Sequence, residues 1–424
     1  MLSNKINNYI LYLILIICFN YGLLEIIGVS QTLIRLIIDV LLLTIILNNF
    51  FKKISWLYLS SILLFLISLS MISFLINDSP LFQFILFQRI LILPILFFIS
   101  LKNIKNINIV KIEKLIDFLF IEQIIASILK ILITGVSENY IGTISVLSGE
   151  LATLIPLLGI AYFFLKYLHY NKKKYLFITP LFLIISYSSL KLGTIIYLPI
   201  VLLVSYLFWF NSQNLSSKYL IKFLLSLFKY SLLLIFFVYL LIRLNPRANI
   251  ERKVWGSFDL TYVYEYYLDY TSKYRFVDDR IQTGRFSAIM IYFEDIKEEP
   301  IRNILFGSGP GSIIKTGLIE NNYESFKAKY GYGSKVGSIW LVEQIGVLSL
   351  LLYVLFQIQI YRFINKFSFS NQLYANYAKV AILILFLDIF TYSSSFFTNS
   401  SILCFYYLIL YLSLNNNREI IEKK

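Results

Sequence analysis

Charged side chains interrupt several long apolar stretches of this sequence. Arg89 stands in the middle of one such stretch, and Glu343 and Asp388 are each embedded in another. Burying a charge among apolar groups is costly, so residues of this kind either pair with one another or line a functional interior. Arg35 and Asp39 are four residues apart, a spacing that lets them neutralise each other on one helical face. Arg89 has no acid close to it in sequence and is therefore the stronger functional candidate.

Lys191 is a second candidate for contact with a charged group. It belongs to the polar sequence Ser-Ser-Leu-Lys-Leu-Gly-Thr at 188–194, which divides an apolar stretch. An ammonium group at a membrane surface is suited to contact an anionic lipid head group. A polar turn without such a role is the alternative explanation.

A glycine-rich sequence, Leu-Phe-Gly-Ser-Gly-Pro-Gly, occupies positions 305–311. Gly307 and Gly309 alternate with other residues, a pattern that suits a tight turn presenting backbone N–H groups to an anion. No Gly-Lys-Ser or Gly-Lys-Thr follows at the spacing of a nucleotide-binding P-loop. The sequence leaves open both an anion-binding loop and a purely structural turn.

Two polar clusters precede these glycines. Tyr266 lies in a tyrosine-rich run at 262–270. Because tyrosine has an apolar face and a polar tip, such a run suits either sugar rings or the membrane interface. Asp279, Arg280 and Arg285 form a mixed-charge cluster. Its guanidinium groups could hold phosphate through bidentate contacts, or could form surface ion pairs.

The sequence lacks the residues that several kinds of chemistry require. The only histidine, His169, lies in a lysine-rich segment that is assigned below to the cytoplasmic side. A histidine-based metal site or a Ser-His-Asp triad on the outer side is thereby excluded. Cys18 and Cys404 lie in separate apolar stretches and have the spacing of neither metal ligands nor a disulfide pair. We therefore expect no metal, no cofactor and no nucleic acid, and a substrate that arrives through the membrane in an activated form.

The elements that must position these residues are membrane-spanning helices. Of the 424 residues, 58% are hydrophobic and 15% are charged, whereas soluble domains contain roughly 45–50% apolar and 25% charged residues. The apolar runs have the length of about 20 residues that a helix needs to cross the hydrocarbon core. The sequence predicts a single all-α polytopic membrane domain, 1–424, with about 12 transmembrane helices. The predicted spans are 9–27, 31–50, 54–76, 81–100, 115–134, 151–168, 176–190, 192–210, 223–244, 337–361, 380–396 and 399–414.

The distribution of lysine and arginine indicates how these spans are oriented. With the N-terminus inside, the short inner segments hold 19 basic residues and the short outer loops hold only Lys191. The positive-inside rule therefore predicts that both termini are cytoplasmic. The segment 245–336, with 13 basic and 12 acidic residues, then becomes a large extracytoplasmic loop. We expect it to contain short helices lying on the outer mouth of the bundle, because loops this long are seldom passive connections.

Together these features resemble the O-antigen polymerase and ligase superfamily. The resemblance rests on a large loop before the last helices and on four short motifs. These are Ser-x-x-Lys-x-Gly at 188–193, Gly-Arg at 284–285, Leu-Phe-Gly-Ser-Gly-Pro-Gly at 305–311 and Glu-Gln-Ile-Gly at 343–346. Lys191 stands where family members often have arginine, which keeps the charge but loses the planar fork. Ligases of the superfamily rely on a histidine in the large loop, and its absence here favours a polymerase.

The resemblance implies a fold similar to the C-type glycosyltransferases. It also implies an enzyme of the bacterial cytoplasmic membrane that joins oligosaccharide units carried on undecaprenyl pyrophosphate, for O-antigen, capsule or another surface polymer. Such an enzyme would transfer the growing chain onto the newest unit at the outer face. The implied partners are the lipid-linked glycan and membrane lipids, together with a chain-length regulator and a flippase.

The resemblance also implies roles for individual residues. Arg285, with Lys191 and Arg89, is expected to bind and stabilise the pyrophosphate, and Arg280 to assist. Glu343 or Asp279 is expected to act as the base toward the acceptor hydroxyl. The remaining expected substrate contacts are Tyr266, Gly307 and Gly309.

Two other functions compete with the polymerase. A ligase would move a finished glycan to a different acceptor. A flippase or secondary transporter would show internal repeats and broken helices at the midplane, and the sequence contains no convincing repeat. A polar loop of this size serves a reaction at the surface better than alternating access, and a sensor or scaffold role has no positive support.

Overall fold

The computed structural model describes residues 2–50, 57–101, 104, 107–146, 149–191, 193–213, 239, 243, 261, 274–277, 280–314, 322–367 and 371–414. Most of these residues are helical. The helices of the first half are α1 (Leu2–Phe19), α2 (Tyr21–Ile26), α3 (Gln31–Phe50), α4 (Leu57–Ile76), α5 (Leu81–Phe87), α6 (Leu93–Leu101), α7 (Ile109–Thr134), α8 (Leu151–Tyr170), α9 (Lys173–Ile178), α10 (Leu183–Ser188) and α11 (Gly193–Ser212).

The second half begins with a short antiparallel hairpin, β1 (Tyr274–Val277) and β2 (Arg280–Thr283). It is followed by helices α12 (Arg285–Glu298), α13 (Ile301–Phe306), α14 (Tyr323–Tyr330), α15 (Gly337–Ile345), α16 (Val347–Phe367), α17 (Gln372–Thr391), α18 (Ser395–Thr398) and α19 (Ser400–Leu414). The expectation of short helices within 245–336 is confirmed for the described part of that segment. The hairpin was not predicted and is a small exception to the all-α class.

Six segments of the described chain are helical, long and apolar enough to cross a membrane. They are Gln31–Asn49, Leu81–Leu101, Leu151–Tyr170, Gly193–Ser212, Val347–Lys366 and Gln372–Thr391. These segments confirm the helical class and support a membrane protein, whereas the count of twelve spans remains a prediction. The predicted span 223–244 lies outside the described residues apart from two isolated positions.

Local breaks divide five of the predicted spans, namely 9–27, 81–100, 176–190, 337–361 and 380–396. Asn20 separates α1 from α2, and a π-helical turn, Gln88–Ile92, separates α5 from α6. A 3₁₀ turn that contains Pro180 separates α9 from α10. Gly346 ends α15 with φ of +80°, and a Cβ atom at this position would lie 2.0 Å from the carbonyl oxygen of Leu305. Apolar composition predicts the length of such segments but does not locate these backbone changes.

Helix α8 runs through the centre of the bundle and packs against α9, α11 and α17. All of its side chains from Leu151 to Lys166 are buried. At its C-terminal end the Lys166 ammonium pairs with Glu113 and Asp117 of α7, at 2.8 and 2.6 Å. A separate polar cluster lies at its N-terminal end, where the polar helices of the second half also dock.

Candidate functional site

Arg285 is the first residue of α12 and follows the hairpin directly. Its side chain is only 6% exposed, and its guanidinium carbon lies 4.0 Å from the centre of the Tyr392 ring. A guanidinium group at this distance over an aromatic face is held by a cation–π interaction. Because the N-terminus of a helix also carries partial positive charge, Arg285 adds its charge to an end that already favours anions.

Three long helices fix the position of Tyr392. The Thr153 hydroxyl of α8 donates a hydrogen bond of 3.0 Å to the Tyr392 hydroxyl oxygen. Gly193, which begins α11, packs so closely that a Cβ atom there would lie 3.3 Å from Thr153 and 3.6 Å from the Tyr392 ring. Tyr392 itself follows the last residue of α17. The platform under Arg285 is therefore built by α8, α11 and α17 together.

Two carboxyl groups and a lysine complete what we call the Arg285 cluster: Arg285, Tyr392, Glu150, Lys335 and Asp388. Glu150 accepts a hydrogen bond of 2.8 Å from the Ser395 hydroxyl, and its other oxygen lies 3.6 Å from the Lys335 ammonium. Asp388 is buried and accepts a 2.6 Å hydrogen bond from the Ser393 hydroxyl. Ser393 and Ser395, which hold these two carboxyl groups, follow Tyr392 closely in the chain, so the members of the cluster lie close together.

The structure places Lys191 at the edge of this cluster. Its ammonium group lies 3.2 Å from a carboxylate oxygen of Glu138. A Cβ atom added to Gly149, the residue before Glu150, would lie 3.3 Å from the same ammonium group. Lys191 and Arg285, which are 94 positions apart in the sequence, therefore belong to the same end of the bundle.

A buried lysine holds the turn that carries Lys191. The Lys130 ammonium group of α7 donates hydrogen bonds of 2.8 Å to the Ser137 carbonyl and 2.9 Å to the Ser188 carbonyl. Leu190 adopts a left-handed conformation, with φ of +57°, in this turn. Lys130 therefore anchors this turn to α7. The sequence analysis did not select Lys130 as a candidate.

Glu343 belongs to a different place, which we call the Glu343 pocket. This cavity of about 200 Å³ is lined by the following residues: Tyr292, Asp295, Ile296, Glu299, Asn303, Gly307, Ser308, Asn322, Ser325, Phe326, Lys329, Tyr330, Val342 and Glu343. The Glu343 carboxylate accepts hydrogen bonds from the Tyr292 hydroxyl at 3.1 Å and from the Ser308 hydroxyl at 2.7 Å. Burial and neighbouring carboxylates raise the pKa of Tyr292 and of Tyr330, so both phenols stay protonated.

The glycine-rich loop packs tightly against the rest of the protein. The Ser308 amide donates to the Glu343 carbonyl at 2.7 Å, and the Gly311 amide donates to the Gln344 side-chain oxygen at 2.9 Å. Gly309 has φ of +106°, and a Cβ atom there would lie 2.2 Å from the Ser79 hydroxyl. These contacts support the structural-turn explanation for this part of the loop. Gly307 also lines the Glu343 pocket.

Arg89 has an acidic neighbour in space although it has none in sequence. Its Nε donates to the Asp39 carboxylate, which comes from α3 and is 50 positions away. Asp39 therefore forms an ion pair with Arg89, whereas the sequence suggested that Asp39 and Arg35 neutralise each other. Arg89 was chosen as the stronger candidate because no acid lies close to it in sequence, and that criterion does not detect a partner on another helix.

Two predicted site residues, Asp279 of the mixed-charge cluster and Tyr266 of the tyrosine-rich run, lie outside the described residues. Arg280 begins β2 opposite Val277 of β1, five positions before Arg285. The hairpin therefore leads directly into α12. The described part of the chain has no group of three or more His, Cys, Asp or Glu side chains placed to hold a metal ion.

Glu150, Lys335 and Tyr392 are members of the Arg285 cluster that the sequence analysis missed. Glu150 lies just before an apolar span and belongs to no motif, and Tyr392 is one of 33 tyrosines. The nearest indication in the sequence is that Glu150 immediately precedes the predicted span 151–168, which is expected to begin on the outer side. Comparison of the chain with protein-family models, curated proteins and solved structures finds no match.

Proposed function

We propose that this protein is a metal-independent glycosyltransferase that polymerises oligosaccharide units carried on undecaprenyl pyrophosphate. The observation that carries the proposal is Arg285, a buried guanidinium group at a helix N-terminus, with Lys191 and Lys335 at the same end of the bundle. A pyrophosphate that arrives through the membrane needs preorganised positive charge of this kind. In this proposal the chain crosses the bacterial cytoplasmic membrane twelve times, with both termini cytoplasmic and 245–336 outside.

The reaction joins the acceptor hydroxyl oxygen to the anomeric carbon of the donor glycan. The bond between that carbon and the pyrophosphate oxygen breaks, and the hydroxyl proton passes to a carboxylate. Negative charge develops on the departing undecaprenyl pyrophosphate, and Arg285, Lys335 and Lys191 stabilise it. Fixed positive charge aimed at such a group typically contributes about 3–4 kcal/mol to the lowering of the barrier.

Glu150 is the carboxylate that we assign as the base. It lies in the Arg285 cluster, and its side chain is 18% exposed, so an acceptor hydroxyl can approach it. The 3.6 Å separation from Lys335 is longer than a hydrogen bond, so Lys335 can turn toward a pyrophosphate without breaking a strong contact. Of the two bases expected from the resemblance, Glu343 instead contacts Tyr292 and Ser308 in its own pocket, and Asp279 lies outside the described residues.

A gel ladder of the surface glycan tests this function. The glycan of a strain without the gene is compared with that of the complemented strain. Single repeat units on an otherwise normal anchor are the expected result for a polymerase. Long polymer left on the lipid carrier would indicate a ligase, and repeat units trapped inside the cell would indicate a transporter. Either of these two results overturns the proposal.

A further inference from the structure

The Glu343 pocket has the dimensions of a site for one sugar ring. Its volume is about 200 Å³, below the roughly 300–1,000 Å³ of pockets that enclose drug-sized ligands. It lies between α12, α14 and α15 and is partly open to solvent, and the exposed Ser325 is among the residues that line it. A whole oligosaccharide would extend out of the pocket, with only one of its rings inside.

Aromatic side chains form one wall of the pocket. The Tyr292 ring meets the Tyr330 ring edge to face at 5.4 Å, and the Phe326 and Tyr330 rings lie 5.0 Å apart. Each of the three residues is less than one-tenth exposed, so the wall is fixed before a ligand enters. Aromatic surface with a few convergent polar groups is typical of small-molecule sites, and it can cover the apolar face of a sugar ring.

Hydrogen-bond acceptors lie beside this aromatic wall. Each Glu343 carboxylate oxygen accepts one bond from the protein, and the Asp295 carboxylate accepts from Tyr330 at 2.8 Å. An ionised carboxylate has about four acceptor positions in all, so capacity remains for the hydroxyl groups of a ligand. Asn303 adds an amide, which donates to Glu299 at 3.0 Å.

The charge of the pocket selects among sugars. Three carboxylates line it against one ammonium group, that of Lys329, which lies 3.0 Å from Asp295. A ligand carboxylate would face like charges on several sides, and like charges at close range disfavour binding. Uncharged or amino-bearing rings are therefore favoured over uronic acids.

We propose that the Glu343 pocket binds one uncharged or amino-bearing pyranose ring, and that this ring belongs to the acceptor glycan. The second part rests on the proposed polymerase function. Tyr292 follows Arg285 by two helical turns on the same face of α12, about 10 Å along the axis. The pocket therefore lies beside the Arg285 cluster, at a distance suited to hold an acceptor while the donor pyrophosphate contacts Arg285.

Saturation-transfer NMR on the full-length protein in lipid nanodiscs tests the pocket directly. The probes are the methyl glycosides of glucose, galactose, N-acetylglucosamine and glucuronic acid at millimolar concentrations. Ser325→Trp places an indole at the mouth of the pocket without replacing a buried group. Lys327→Trp is the matched control, because it adds the same indole to the opposite side of α14, and Lys327 does not line the pocket.

We expect saturation transfer to at least one of the first three glycosides and none to the glucuronide. Ser325→Trp should reduce that signal at least tenfold, and Lys327→Trp should leave it unchanged. The inference is overturned if no uncharged glycoside binds, or if Ser325→Trp binds as well as the unmodified protein. Because this experiment needs no polymer synthesis, its failure is distinguishable from a failure of the gel-ladder experiment, which concerns the polymerase function alone.

Discussion

Arg285 contributes a positive charge whose position is fixed before any substrate arrives. Its guanidinium group is buried and stacked on Tyr392, which Thr153 holds in turn. Charge that is already in place stabilises a transition state without reorganisation at the moment of reaction. The shape of the group therefore matters as well as its charge, since only arginine has a flat face for the ring and a fork for phosphate.

We predict that Arg285→Ala lowers the rate of polymer formation by about 10²–10³-fold, the usual loss when one preorganised electrostatic group is removed. Arg285→Lys keeps the charge without the fork and should lose less. The measurement is the amount of glycan longer than one repeat unit in the complemented deletion strain, with protein levels matched by immunoblot. Lys297→Ala removes an exposed cation from the same helix and should have no effect. Full polymer length with Arg285→Ala would show that this assignment is wrong.

Substitutions of Glu150 and of Glu343 are expected to affect different kinetic constants. A general base typically contributes about 10²–10⁴-fold, so Glu150→Gln should lower kcat by such a factor with little change in KM. Glu343→Gln changes the Glu343 pocket, where we propose that the acceptor sugar binds, and should chiefly raise the KM for the acceptor. Polymerisation by the purified protein, with lipid-linked repeat units as substrate, measures both constants.

Glu324→Gln is the control for this pair, because Glu324 is an exposed glutamate that contacts Lys327 and lines neither site. It should change neither constant more than a few-fold. A normal kcat for Glu150→Gln, together with a collapsed kcat for Glu343→Gln, would move the base to the residue that the sequence first indicated.

Prediction from sequence stops short of this cluster for a physical reason. Arg285, Lys191 and Glu343 could be chosen because motifs or a missing counter-charge mark them. Glu150 could not be chosen, because its importance comes from helices that meet in space and not from its neighbours in the chain. The same limitation explains Arg89, whose partner Asp39 lies on another helix.

At the scale of elements, the docking of α12 depends on a very close contact. A Cβ atom added to Gly333 would lie 1.9 Å from the Cβ of Ala288, so α12 packs directly on the backbone of the turn 331–335. That turn also carries Lys335 of the Arg285 cluster and follows Tyr330 of the Glu343 pocket. One contact therefore sets the position of both sites.

We predict that Gly333→Ala shifts α12 and reduces polymer formation at least tenfold. Ala288→Gly alone should cost only about 1 kcal/mol of stability, the usual penalty of glycine in a helix. The double variant Gly333→Ala with Ala288→Gly restores the space and should recover most of the activity. The gel ladder, together with unfolding of the purified variants in mixed micelles, measures both effects. A double variant as inactive as Gly333→Ala alone would exclude this contact as the cause.

The helices themselves were predicted better than their internal breaks. The run predicted as 31–50 is α3, Gln31–Phe50, and the run predicted as 151–168 is α8, Leu151–Tyr170. Apolar length is a local property, and the sequence carries it directly. In the π-helical turn Gln88–Ile92, by contrast, the Gln88 side chain donates a hydrogen bond to Ser70 of another helix, and local composition carries no sign of such a contact.

At the scale of the whole molecule, α8 separates two polar ends. Its N-terminal end meets the Arg285 cluster, and its C-terminal end holds the ion pairs of Lys166 with Glu113 and Asp117. A helix of 20 residues is about 30 Å long, the thickness of the hydrocarbon core. If α8 crosses the membrane, the two ends must lie on opposite sides of it, and the polymerase proposal requires the Arg285 end to be outside.

Cysteine labelling in intact cells tests this orientation. Asn139→Cys places an exposed thiol near the Arg285 end, and Lys173→Cys places one just beyond the other end of α8. The native Cys18 and Cys404 are each 1% exposed and should give little background. We expect a membrane-impermeant maleimide to label Asn139→Cys in intact cells, and to label Lys173→Cys only after permeabilisation. The reverse labelling pattern would put Arg285 in the cytoplasm. That location would contradict both the orientation predicted from the distribution of lysines and the proposal of a polymerase that acts at the outer face.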